Sequence, residues 1–272
     1  MRLLFIGDIV GAPGVDFVKR AVPILRRSEN LDLVIANGEN ASGGSGMTPG
    51  AYRQLRSAGV DGLTMGDHIY KKAELIGLME KGEPLCKPAN FPDDAPGKTH
   101  LICPTKGDIS VAVISLLGRT YMRAVDCPFR AVDRILAGLP AEIRCIVVDV
   151  HAEATADKYQ LGHHLKGRVS AVLGTHTHVV TADEQILPGG TAFICDVGMS
   201  GPHDSILGRC TERVLSAAIN FVPVPFDVAH GDVRLNGAIV EIDSASGKAT
   251  SIRRLRLDES GLASLQESAS KS

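Results

Sequence analysis

The sequence predicts an α/β fold with strands buried on both faces, and two observations carry the prediction. Runs of four to seven apolar residues, rich in Val, Ile and Leu, recur along the chain, each followed by a polar turn and a stretch of helical length. Runs of that length and composition suit strands covered on both faces, and their alternation with helices marks a layered α/β architecture. At 272 residues with 44% apolar content the chain is long enough for one large domain with its own core.

The predicted strands are Leu3 to Ile6, Leu31 to Ala36, Gly62 to Met65, Val111 to Leu117, Cys145 to Val150, Val169 to Leu173 and Ala192 to Cys195. Helices are predicted between them, among them Val15 to Ser28 and Pro49 to Ala58. Thr48 is placed to cap the second, and Pro49 suits its first helical position. After about Phe221 the pattern changes to antiparallel strands, with turn signals at His230-Gly231-Asp232, Asn236-Gly237 and Ser244 to Gly247. One domain over 1–258 and a frayed polar tail over 259–272 are expected.

Composition excludes several classes of function. Net charge is −2, aromatics make up 4% and Trp is absent, which removes the case for duplex nucleic acid, an anionic membrane or a base-stacking platform. No apolar stretch approaches the ~20 residues of a membrane span, and the N-terminal segment lacks the regions of a secretory signal. The six cysteines are scattered without a Cys-x-x-Cys pair, and Cys145 and Cys195 sit inside apolar runs. A reduced, cytosolic setting is expected.

Chemistry collects where strands end, because ligands of open α/β sheets bind beyond the carboxyl ends. Those positions read Gly7-Asp8, Gly38-Glu39-Asn40, Gly66-Asp67-His68, Asp149-Val150-His151 and Gly174-Thr175-His176-Thr177-His178. Singly, an Asp after a strand is more often a cap, and a lone His more often structural. Jointly, five ends bearing carboxylates, an amide and imidazoles form a donor set for divalent metals. Extended chain at His176 and His178 would turn both rings to one side. The Gly43-Gly44-Ser45-Gly46 segment lacks the Gly-Lys-Ser/Thr of a nucleotide P-loop. No Gly-x-Ser-x-Gly elbow follows a strand.

The ordered series GD, GEN, GDH, H and GTHTH resembles the signature of calcineurin-like metallophosphoesterases. The longer stretches GDIVGAPG, NGENASGGSGMT, KPANFP, DVHAEATADK, GTHTHVVTADEQILP and DVGMSGPHDSILG look like its YmdB-like branch, from Met1 to about Asp243. The resemblance implies a four-layer α/β/β/α sandwich of two mixed sheets with flanking helices. It also implies a dinuclear-metal phosphodiesterase for cyclic nucleotides, above all 2′,3′-cyclic ones. On the matching positions, Asp8, Asn40 and His178 would hold one ion, Asp67, His151 and His176 the other, with Glu39 bridging and His68 as general acid.

Two divalent ions are expected, iron or manganese over magnesium because imidazoles share the site. The expected partner is a small phosphodiester substrate, and homo-oligomerisation stays open. The family usually carries Asn where this chain has Asp67. That departure keeps one rival in view, a nucleotide- or partner-binding regulatory protein with weak phosphoesterase activity.

Overall fold

In the computed structural model, which describes residues 1–271 other than 106 and 108, the predicted runs become strands of two facing sheets. The chain begins with β1 (Arg2–Ile6), β2 (Asp8–Ile9), α1 (Gly11–Ser28), β3 (Leu33–Asn37), α2 (Pro49–Ser57) and β4 (Gly62–Thr64). A 3-10 turn (Ala73–Leu75) leads to α3 (Ile76–Glu80), β5 (Leu85–Cys86), β6 (His100–Pro104), β7 (Ser110–Leu117) and α4 (Pro128–Gly138). Then come β8 (Cys145–His151), α5 (Thr155–Leu165), β9 (Ala171–Thr175), β10 (Gln185–Leu187), β11 (Thr191–Ile194), β12 (Met199–Asp204) and α6 (Thr211–Asn220). A long hairpin of β13 (Gly231–Asp243) and β14 (Lys248–Leu257) is followed by α7 (Glu259–Lys271).

One sheet runs β2-β12-β13-β1-β3-β4-β5, with β14 paired to β13 as its eighth strand; the other runs β10-β11-β9-β8-β7-β6. Successive side chains along a strand point to opposite faces, and here both faces are covered. Leu3, Phe5, Leu33 and Ile35 face Val113, Val147 and Leu173 of the opposite sheet. Leu4, Ile6, Val34 and Ala36 pack outward against α1 and α2 through Val18, Leu25 and Leu55. Ile114, Val148 and Val172 meet Val132, Leu161 and Leu165 on the helices of the second sheet. Double coverage is why the strands read as unbroken apolar runs rather than alternating ones, and it produces the expected four layers.

Thr48 caps α2 by accepting from Ala51 N at 3.3 Å, with Pro49 in the first turn. Helix α1 begins four residues before the predicted Val15. Pro13 falls in its first turn, where the helix N–H groups are unpaired and proline is tolerated. Asn236-Gly237 is not a turn; it lies inside β13, where a side chain at Gly237 would meet Phe5 O at 2.3 Å. Glycine here marks close backbone approach rather than chain reversal. The hairpin reverses instead at Ser244 to Gly247, as expected. The stretch expected to fray is the helix α7, anchored by the buried Leu262. The six cysteines are free thiols. Among the described residues no helix is long and apolar enough to cross a membrane.

Candidate metal centre

The carboxyl ends of β1, β3 and β4 in one sheet and of β8 and β9 in the other open on one point between the sheets. Asp8, Glu39, Asn40 and His151 are buried there, while Asp67, His68, His176 and His178 form its half-buried mouth. Donor atoms of Glu39, Asp67, His151 and His176 all lie within 4.8 Å of one another. His151 Nε2 stands 3.2 Å from Glu39 Oε1, 3.3 Å from Asp67 Oδ1 and 3.0 Å from His176 Nδ1.

A second group adjoins the first. Asn40 Nδ2 lies 3.2 Å from His178 Nε2 and 3.5 Å from Asp8 Oδ1, and His178 Nε2 lies 3.8 Å from Asp8 Oδ1. Glu39 belongs to both groups, because its Oε1 also accepts from Asn40 Nδ2 at 3.1 Å. Asn40 presents its NH₂ to these acceptors, and its Oδ1 accepts from His68 Nδ1 at 2.8 Å. Serving as an oxygen ligand therefore requires the amide to turn over, which a nearby cation favours because it repels the NH₂ and attracts the amide oxygen.

The residues present fit a cation. Asp67 Oδ1 is buried without a hydrogen bond and points at two imidazoles, an arrangement that is unfavourable unless something positive joins it. Gly66 leaves room for the cluster: a Cβ there would sit 2.3 Å from Glu39 Oε2 and 2.4 Å from His151 Nε2. Carboxylate oxygens mixed with imidazole nitrogens are donors for borderline divalent metals.

Burial alone would lower the His151 pKa, but the carboxylates of Glu39, Asp67 and Asp8 outweigh it and hold the ring well above its ordinary value. Burial would likewise raise the Glu39 carboxyl; His151 and His68 reverse that and hold it well below.

A buried network of Asp149, Thr64 and Thr175 orients these side chains. Thr175 Oγ1 donates to Asp149 Oδ1 at 2.7 Å and stands 2.8 Å from His151 Nδ1, so its free lone pair accepts the Nδ1 proton. The ring is thereby fixed with Nε2 toward the cluster. Burial pushes the Asp149 carboxyl up to about 6, with His151 and the Thr64 and Thr175 hydroxyls opposing the rise. Thr175→Val keeps the side-chain shape and removes the hydroxyl. We expect it to weaken metal affinity by about 10–100-fold, measured by competition with a chelator; unchanged affinity would leave ring orientation to packing alone.

The loop after β9 is not extended, contrary to expectation. His176 and His178 have φ of 96° and 66°, so left-handed turns, not strand alternation, aim their rings, and at different groups. Such backbone costs about 1–3 kcal/mol per residue and needs outside support. Asp8 Oδ2 accepts from His176 N at 3.0 Å. Asp196 Oδ2 accepts from Thr177 N at 3.1 Å and Thr177 Oγ1 at 2.7 Å, and the buried Lys158 Nζ pairs with it at 2.7 Å. Asp196 follows the run Ala192 to Cys195, so the strand-end rule applied to that run would have found it. Lys158 carries no comparable signal. In the Gly43–Gly46 turn, Arg209 donates to Gly43 O and Gly44 O.

Similarity agrees with this geometry. The "YmdB-like protein" family matches residues 4–255. The 2′,3′-cyclic-nucleotide 2′-phosphodiesterase of Bacillus subtilis is 44% identical over 259 residues, 95% of this chain and 98% of that protein. A hypothetical protein from Thermus thermophilus superposes with a TM-score of 0.90 at 41% identity, over 95% of this chain and 100% of that one. A novel phosphatase from Mycoplasma pneumoniae does so with a TM-score of 0.88 at 30% identity, over 95% and 93%. With its fold and nearly its whole length in common with these proteins, the chain belongs to the YmdB-like family.

Proposed function

We propose that residues 1–258 form one metallophosphoesterase domain that hydrolyses phosphodiesters of cyclic nucleotides, 2′,3′-cyclic nucleotides first among them. The observation that carries the reading is the double donor group around Glu39, each half completed by side chains from both sheets. The named activity of the B. subtilis relative supports the substrate class, and its 2′ ester bond is the bond to test.

In this reading Asp8, Asn40 and His178 hold one cation, Asp67, His151 and His176 the other, and Glu39 touches both. Iron or manganese suits the mixture of imidazole and carboxylate better than magnesium. A pair of divalent cations held by these residues would supply charge neutralisation for phosphoryl oxygens and a nucleophilic water near neutral pH. His68 handles the leaving group. Its Nδ1 faces the Asn40 amide and lies 3.2 Å from Glu39 Oε1, which leaves Nε2 on the half-exposed edge of the ring to donate to the departing alkoxide. The Glu39 contact raises the His68 pKa against the opposing effect of burial, the direction a general acid needs.

Hydrolysis of bis-p-nitrophenyl phosphate and of adenosine 2′,3′-cyclic phosphate by metal-loaded protein tests the reading. Release of product that stops with chelator and returns with metal supports it; inertness toward both diesters overturns it.

Asp67 adds a negative charge where the family usually has a neutral amide. An extra carboxylate beside an ion weakens its polarisation of water. The rate lost on acidification should therefore set in at higher pH than with Asn. Asp67→Asn moves that limb downward and weakens metal retention, read from pH–rate profiles and metal content. If neither changes, Asp67 is equivalent to the family's Asn.

A further inference from the structure

A cavity of about 600 Å³ opens beside the metal centre, and His178 lines it as well as facing Asp8 and Asn40. Along one side runs the β13–β14 hairpin, where Asn236 pairs with Arg256 and Ala238 with Arg254. Ala238 packs between the sheets, so Arg254 and Arg256, in register with Ala238 and Asn236, share the face that looks toward the second sheet. Val179, Val180, Met199 and Leu207 give the lining an apolar side.

The charge of this cavity is opposite to that of the metal centre. Four arginines line it against a single carboxylate, Glu184. Arg234 is paired with Asp232, Arg253 with Glu29, and Arg254 with Glu184 at 2.7 Å. Arg256 lines the same cavity but has no ion pair and no side-chain hydrogen bond among the described residues. His203 contributes no charge: its Nδ1 proton goes to Gly201 O at 2.9 Å, and its Nε2 accepts from Asn236 Nδ2 at 3.0 Å. An exposed guanidinium in a partly apolar cleft, next to a site for phosphoryl groups, is arranged for a second phosphate on the same ligand.

Resting on the function proposed above, we propose that this cavity takes the 5′ side of the substrate, with a phosphate on the 5′ oxygen bound at Arg256 while the 2′,3′-cyclic phosphate lies at the metal centre. The apolar side then covers the ribose and base. A 5′ phosphate can be a free monophosphate or the phosphodiester to the preceding nucleotide of an RNA strand. The second is the end left when RNA is cut by attack of its own 2′ hydroxyl.

Three substrates test this with metal-loaded protein: adenosine 2′,3′-cyclic phosphate, its 5′-phosphorylated form, and the adenylyl dinucleotide ending in the same cyclic phosphate. One charge-assisted contact should raise kcat/KM about tenfold over the unphosphorylated nucleotide, mainly through KM. Arg256→Gln should collapse that ratio toward one and Arg256→Lys should retain part of it. Arg20→Gln, which alters an exposed pair with Glu259 on α7, should keep it whole. A gain confined to the monophosphate or to the dinucleotide supports the inference and identifies the source. No gain, or a gain that survives Arg256→Gln, overturns it while leaving the phosphodiesterase reading intact. If the wild-type protein cleaves none of the three, the cyclic-nucleotide reading fails and this inference fails with it.

Discussion

His68→Ala should lower turnover of a cyclic nucleotide by roughly 10²–10⁴-fold, the usual contribution of a general acid, with metal content unchanged. His68 reaches the cluster only through its neighbours, contacting Asn40 Oδ1, Glu39 Oε1 and, at 3.7 Å, Asp67 Oδ2. Its ring is the half-exposed one beside Glu39, where a leaving oxygen can approach, whereas the His151 ring is fully buried. The loss should shrink for bis-p-nitrophenyl phosphate, whose leaving group needs little protonation. Steady-state rates on both substrates, with elemental analysis of the same samples, check the assignment. Loss of metal in the variant would instead make His68 a support for Asn40 and Glu39.

Glu39→Gln should be more damaging, lowering turnover on the order of 10³-fold or more because both cations lose their shared anionic ligand. Glu39 is the carboxylate on which the two donor groups meet, and it is buried with His151 Nε2 at 3.2 Å and Asn40 Nδ2 at 3.1 Å. Gln keeps the volume and removes the charge, so the fold should survive while binding of at least one ion weakens. Metal titration followed by circular dichroism separates the two effects. Retention of both ions at wild-type affinity would show that Glu39 does not bridge them.

Much of this was legible because doubly covered strands concentrate polarity at their ends. Each of the five strand ends that stood out in sequence opens on the centre, and their glycines allow the tight approach seen at Gly66. What escaped notice depends on long-range contact. Asn236-Gly237 has the composition of a turn, but the approach of β1 to β13 at Phe5 makes glycine necessary inside a strand. The directions of His176 and His178 follow from left-handed backbone held by Asp8 and Asp196, which no local pattern encodes. The arginine-lined cavity is likewise assembled from segments that are far apart in sequence, and Arg256 looks like an ordinary surface residue until its neighbours are known. Helix α7 is held by the buried Leu262 and the partly buried Leu265 in a largely polar stretch.

The central claim is that these strand ends form a two-cation centre. Elemental analysis of the protein purified without chelator, followed by titration of the stripped protein with manganese, tests it most directly. The account predicts close to two divalent ions per chain, with release of protons at neutral pH as metal displaces the proton that Glu39, Asp67 and Asp8 hold on His151. A stoichiometry near zero in both experiments, with no proton release, would contradict it.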